Sequence, residues 1–318
     1  MVTKERLVIK AIERGKTCNP AVLSELRLHH SSFGHPYIAD LKDAFLTQNY
    51  LCIAMSYAPG DDLDTIIKTK GPLTEDMARR VFQQILLAVH FLHQSGFVNR
   101  DIRTKNIMLD ENEGRHIVKL TDFLYGRHDQ INSDPRAAFA SLPYTSPELL
   151  TGASKSDVGE SANVWELGVS LYKLVVGRFP FEREGDGHTT YRTVPMVISR
   201  ISTVDYSIPD TLSPALRDLL GRIFVVSVRE RISLEDIMAH PWVNTSEWPA
   251  TPASIAQIMK DVTCPVSQDV LDGVIKGSVN PGIGRSTTRS TEDELIDAAA
   301  ADTMLEDQAL QALNAAEL

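Results

Sequence analysis

The chain has 318 residues, 43% of them hydrophobic, and a formal net charge of −10. That length allows one to three domains and a sizeable core, while the acidic balance argues against a chain-wide basic surface for nucleic acid. No run approaches the ~18 apolar residues of a membrane span, and three scattered cysteines without a CxxC pair exclude a disulfide framework and a zinc site.

The opening MVTKERLVIK carries charge but no apolar core, so no signal peptide is expected. Cys18, Cys52 and Cys264 suit a reducing cytosol or nucleus. RLVIKAIE (6–13) is a short apolar run ending near Gly15 and predicts a strand. PAVLSELRLHH (20–30) predicts a helix opened by Pro20. YIADLKDAFL and NYLCIAMSY predict two further strands. From Thr74 to Gln94 the pattern turns helical: Met77, Val81, Ile85, Ala88, Val89 and Leu92 recur on one face. Thr74 is the expected N-cap and Gly96 the stop. Two short strands are expected at 107–109 and 116–120, then an irregular stretch from Arg127 to Pro147. Helices follow at 161–177, 213–224, 233–243 and 251–262. Strands in front and helices behind predict two lobes rather than an alternating parallel sheet. Residues 277–291 read as a linker by composition. Residues 286–318 hold eight Asp/Glu against one Arg, and residues 292–316 read as an acidic, alanine-rich helix or a disordered tail.

Several polar residues could carry chemistry. Moving a phosphoryl group from ATP needs a cation on the phosphates, metal ions bridging them, an acceptor for the hydroxyl proton, and a site that positions all three. Lys10 sits late in a strand, and Glu25 on the next helix could pair with it. Asp101 and Asn106 share a loop after the long helix, and Asp122 follows a strand. Glu148 ends the irregular stretch, with Arg231 as a distant partner. Singly these are weak signals: a strand lysine is usually a surface residue, and an Arg-Asp pair is usually a surface ion pair. Their occurrence as an ordered set is what carries weight.

That set resembles the eukaryotic protein kinases over about residues 4–243. The family patterns VAIK, HRDLxxxN, DFG and APE stand here as LVIK, NRDIRTKN, DFL and SPE. VIKAIERGK, IAMSYAPGDDL, FQQILLAVHFLH, GVSLYKLVVGRFPFE and ISRISTVDYSIPD are similar to the plant sucrose-nonfermenting-related kinases activated by osmotic stress and abscisic acid. The resemblance implies an α+β, bilobal protein-kinase-like fold with a truncated, β-rich small lobe and a mainly helical large lobe. The implied domains are a small lobe (1–58), a large lobe (59–243), a helical extension packing on the kinase domain (244–276), and a linker with an acidic regulatory tail (277–318). SIAQIM (254–259) looks like the helix of that subfamily that packs back on the small lobe. ATP and Mg²⁺ are the implied donor and metal. Lys10 would hold the α/β-phosphates, oriented by Glu25. Asp101 would take the substrate proton, with Arg103 near the γ-phosphate. Asn106 and Asp122 would hold Mg²⁺. Met55 would guard the adenine pocket, the backbone of Ser56, Tyr57 and Ala58 would meet adenine, and Met108 would line the nucleotide site. Implied partners are protein substrates and a regulatory phosphatase at the tail, with no nucleic acid and no membrane. The implied location is cytoplasmic and/or nuclear.

The sequence also departs from the family. No GxGxxG precedes Lys10, so the first two small-lobe strands have no counterpart here: either the chain is a fragment or the small lobe is incomplete. Leu124 replaces the DFG glycine, which restricts the backbone there. Asn99 replaces the HRD histidine, His29 stands where an apolar packing residue is usual, and together they predict a looser internal spine. Arg103 replaces the catalytic-loop lysine, keeping charge but not shape. Asn163 replaces an aspartate that braces the catalytic loop. Ala137 and Ala138 stand at activation-segment positions that are phosphorylatable in the subfamily, while Ser133 and Ser141 remain. Two readings follow: a Ser/Thr kinase, or a pseudokinase that keeps the fold and acts as a binding or scaffold protein.

Overall fold

A computed structural model describes residues 6–15, 18, 20–98, 101–110, 116–121, 142–152, 155–183, 193–244 and 248–279. The chain divides into two compact units, one formed by residues 1–34, 39–57 and 262–318, the other by 35–38 and 58–261.

The first unit is built on three antiparallel strands: β1 (Leu7–Glu13), β2 (Leu41–Leu46) and β3 (Tyr50–Ser56), in the order β1-β3-β2. The central strand is buried from Tyr50 to Met55, as its unbroken apolar run requires of a strand covered on both faces. β1 lies at an edge, with Leu7, Val8 and Ile9 exposed. Helix α1 (Pro20–Ser31) buries Val22, Leu26 and Leu28. The strand expected from Tyr37 forms only from Leu41, because Tyr37 and Ile38 belong to the second unit.

The second unit is mainly helical. Short α2 (Leu63–Lys70) is capped by Asp62, whose carboxylate accepts from Thr65 N at 2.9 Å. α3 (Glu75–Gln94) runs as expected, with Thr74 as N-cap and Gly96 at φ 76° just beyond its end. Its residues from Val81 to Val89 are all buried. β4 (Ile107–Asp110) and β5 (Ile117–Leu120) form an antiparallel pair. Next come a single turn, α4 (Pro147–Leu150), and α5 (Lys155–Val176), which is kinked at Gly159 (φ 50°). α6 (Val194–Thr203), α7 (Pro214–Ile223), α8 (Leu234–Ala239) and α9 (Pro252–Lys260) complete the unit.

Its core centres on Trp165, stacked on Phe181 with centroids 5.3 Å apart and edge-on to Phe224 at 5.1 Å. Gly168 lets α5 approach α7 here: a Cβ at that position would stand 2.3 Å from Ile223 Cγ2. Gly168→Ala should therefore destabilise the unit by ~1–3 kcal/mol through overpacking, read as a lower urea midpoint.

The last helix, α10 (Gln268–Val279), belongs to the first unit and packs on β2 and β3. The segment 254–259 falls in α9, which clusters with the second unit. Arg14 fastens α10: Nη1 donates to Thr47 O at 2.8 Å and Nη2 to Gly277 O at 2.9 Å. Gly277 to Val279 are thus helical, not linker. The tail at 292–316 lies outside the described residues.

Candidate active site

The candidate residues fall into two groups, one on each unit. In the first unit, Lys10 is mid-strand on β1, opposite Ile53. Its Nζ donates to Glu25 Oε1 at 3.2 Å and to Oε2 at 3.4 Å. Glu25 comes from the inward face of α1, and its side chain is only 1% exposed. A carboxylate so buried needs a close cation, so the sequence-predicted pairing is also what makes Glu25 tolerable there. One turn on, His29 is fully buried and its Nδ1 donates to Ala39 O at 3.2 Å. Its Nε2 lies 3.7 Å from Glu25 Oε1. The ring is therefore a buried polar anchor, tied to backbone, where the sequence suggested loose packing. Met55 is buried at the end of β3, paired with Val8 and Leu41. Ser56 and Asp40 bond reciprocally, Ser56 N to Asp40 O at 2.9 Å and Asp40 N to Ser56 Oγ at 3.0 Å. The Ser56 N–H is thus committed to the protein. Tyr57 is exposed and ends the unit; Ala58 begins the next.

In the second unit, Asp101, Arg103 and Asn106 are brought together. Asp101 is buried, and its Oδ2 accepts from Arg103 Nη2 at 2.6 Å and from Asn106 Nδ2 at 2.7 Å. Asn106 Nδ2 also reaches Asp101 O at 3.0 Å. These bonds are possible because Thr104–Asn106 forms a tight 3₁₀ turn that folds residue 106 back over residue 101. The turn is pinned from behind: Tyr144 Oη receives Thr104 N at 3.3 Å and shares a hydrogen bond with Thr104 Oγ1 at 2.9 Å. Burial pushes the Tyr144 phenol well above its usual range, so it stays a neutral hydroxyl. Asn106 O is held by Thr121, through N at 2.9 Å and Oγ1 at 3.1 Å. Thr121 directly precedes Asp122, which lies outside the described residues, as do Asn99, Leu124, Ser133, Ala137, Ala138 and Ser141. Met108 is half-buried on β4, opposite Lys119.

The donor set fits a hard cation. Asn106 spends its amide nitrogen on Asp101, and its side-chain carbonyl is of the ligand type that Mg²⁺ takes. Mg²⁺ keeps few protein ligands and relies on phosphates and water. Among the described residues no cluster of three or more His, Cys, Asp or Glu could hold a metal alone. Glu148 and Arg231 meet as expected, bidentately at 2.7 and 2.8 Å. Sequence reading passed over Thr104, Tyr144, Glu166 and Ser170. The only available signal was helical spacing: Glu166 and Ser170 fall one and two turns after Asn163.

Comparison with known proteins adds the following. The protein kinase domain family matches residues 2–243. A serine/threonine-protein kinase of rice (Oryza sativa subsp. japonica), SAPK4, is 35% identical over 242 residues, which are 76% of this chain and 65% of that protein. The chain thus spans slightly under two thirds of that relative. Rice SAPK3 (Oryza sativa subsp. indica) is 38% identical over 242 residues, 76% of this chain and 70% of that protein. SRK2H of Arabidopsis thaliana is 33% identical over 298 residues, 92% of this chain and 81% of that protein.

Proposed function

The chain belongs to the protein kinase domain family, and from that premise we propose that it is a serine/threonine kinase that transfers the γ-phosphate of Mg-ATP to hydroxyls of protein substrates. The observation that carries this reading is the Asp101 carboxylate, fixed in plane by Arg103 and Asn106. A held carboxylate can take the proton from an incoming hydroxyl as the oxygen attacks phosphorus. Lys10, held by Glu25, supplies a cation for phosphate oxygens. Arg103, already on Asp101, brings positive charge to the transferring group while keeping the carboxylate oriented. Asn106 would hold Mg²⁺ together with Asp122. Bound Mg²⁺ supplies charge neutralisation on the phosphates. Met55, the Ser56–Ala58 backbone and Met108 would receive the adenine end.

The likeness to stress-activated plant kinases supports a setting in stress signalling. It also supports the lobe boundaries at 1–58 and 59–243, a regulatory phosphatase on the acidic tail and a cytoplasmic or nuclear location. No helix among the described residues is long and apolar enough to cross a membrane. The test is transfer of labelled γ-phosphate from ATP to serine, threonine and tyrosine peptides, with and without a Mg²⁺ chelator. Transfer to serine and threonine peptides that the chelator removes is the expected result. Tight Mg-ATP binding without transfer to any peptide would overturn the reading in favour of a binding role.

A further inference from the structure

The largely apolar run LGVSLYKLVV at the end of α5 holds one charge, Lys173. Its side chain is only 8% exposed, so the ammonium has left water and needs compensation. Two groups supply it. Asp64, in the first turn of α2, takes the ammonium on Oδ1, while its other oxygen takes the exposed Lys68 at 2.8 Å. Phe179, just beyond α5, presents its ring with the centroid 4.0 Å from Nζ. Burial alone would raise the Asp64 carboxyl, but its bonds to the two lysines outweigh that and hold it below its usual range, so it is ionised. Both groups lead to the turn at Thr104–Asn106. Thr104 Oγ1 donates to the same Asp64 oxygen at 3.4 Å. The bond is long, but an ionised carboxylate can only accept, so it fixes where the Thr104 proton points. Tyr144 is then the donor in its 2.9 Å bond to Thr104 Oγ1, while its oxygen accepts from Thr104 N at 3.3 Å. Phe179 meets Tyr144 edge-on, with centroids 5.3 Å apart.

We propose that Lys173 is a positioning residue of the turn that sets Asn106 against Asp101, a buried cation that holds the Thr104–Tyr144 pair from two sides, through Asp64 and through Phe179. The inference rests on the phosphotransfer reading for its effect on rate, but not for the contacts themselves. Thr104 is fully buried and opens the turn. With its hydroxyl and its amide both directed, the turn cannot rock without breaking a bond in a site of low dielectric. An apolar pair at 64 and 173 would fill the same space with no desolvation of charge, but it would leave the Thr104 hydroxyl without a charged acceptor. Lys173 acts through Thr104 and Tyr144 rather than on the reacting atoms.

The experiment compares the full chain with Lys173→Met, Asp64→Leu/Lys173→Met, Thr104→Val and Thr104→Val/Lys173→Met. Three readouts are taken: the urea midpoint, kcat and KM per folded protein, and the ¹⁵N–¹H resonance of the Thr104 amide. Lys173→Met should lower kcat by about 10- to 100-fold, the scale of a small misplacement, with KM for ATP within about twofold. Asp64→Leu/Lys173→Met removes the pair without stranding a charge, so its urea midpoint should equal or exceed that of wild type. Its kcat should nevertheless stay about tenfold down or more, with the Thr104 amide shifted. In the Thr104→Val background, Lys173→Met should cost much less than in wild type, because one of its two links is already cut. Wild-type kcat in the double apolar variant would make the pair structural only and overturn the proposal. So would equal losses from Lys173→Met with and without the Thr104 hydroxyl, or an unmoved Thr104 amide. The Thr104→Val comparison decides even where the double apolar variant folds poorly. If the wild-type chain transfers no phosphate, the kinase reading fails while the amide measurement still decides the contacts.

Discussion

Asp101→Asn should lower turnover by about 10²–10⁴-fold, the usual worth of a positioned general base. The substitution keeps shape and removes the one function that shape cannot supply, acceptance of a proton. Mg-ATP affinity should stay within a few-fold, since Lys10 and Glu25, on the other unit, are untouched. The variant also leaves Arg103 facing an amide where it had a carboxylate at 2.6 Å. A loss of stability is expected as well, since the pair is largely buried. Single-turnover kinetics with ATP and peptide both saturating separate these effects. A drop in rate with unchanged ATP binding marks a base; equal rates in both proteins would remove Asp101 from the chemistry.

The largest loss of stability is expected at Arg231. Its side chain is fully buried. It donates to both oxygens of Glu148, to Ser161 O at 2.9 Å and to Val225 O at 3.0 Å, and lies 5.1 Å over the Trp165 ring. Arg231→Met keeps bulk but strands the Glu148 carboxylate, largely buried without its cation. The cost should be ~3–5 kcal/mol, as for other broken buried pairs. Buried Trp165 and Trp242 make the loss readable by fluorescence in urea. Burial alone would raise the Glu148 carboxyl, but the hydrogen bonds and charge of Arg231 outweigh it and hold it below its usual 4.5. The pair's contribution is therefore complete above about pH 4.5 and is lost as pH falls through the lowered value. The gap between wild type and Arg231→Met should narrow in acid; a gap independent of pH would mean that Arg231 acts by packing alone.

What could be read from sequence tracked the strength of local signals. α3 was legible because cap, period and stop agree, and β3 because a continuous apolar run is explained by burial on both faces. α2, α6 and α10 were not. α2 is only eight residues long, so its one apolar face of Leu63, Ile66 and Ile67 is a short signal. α10 contains Gly273 and Gly277, which favour a linker, but burial of Leu271 and Val274 against the sheet outweighs propensity. The site divides the same way. Asp101, Arg103 and Asn106 announce themselves by spacing, and the structure brings them within hydrogen-bond reach. Glu166 does not, because a helical glutamate reads as surface until the fold brings its carboxylate within 3.3 Å of Ile102 N.

Arg14 also has a consequence for synthesis. It joins residues 263 positions apart, and Gly15 N bonds to Ser278 O beside it. The three strands leave the ribosome early, but the helix that covers β2 and β3 is made almost last. Residues 58–261, which complete the second unit, emerge in between. At ~5–20 residues per second, the sheet waits roughly ten to fifty seconds for its cover. The sheet is thus completed only after residues 58–261 have been made, and until then β2 and β3 lack the cover that α10 later provides.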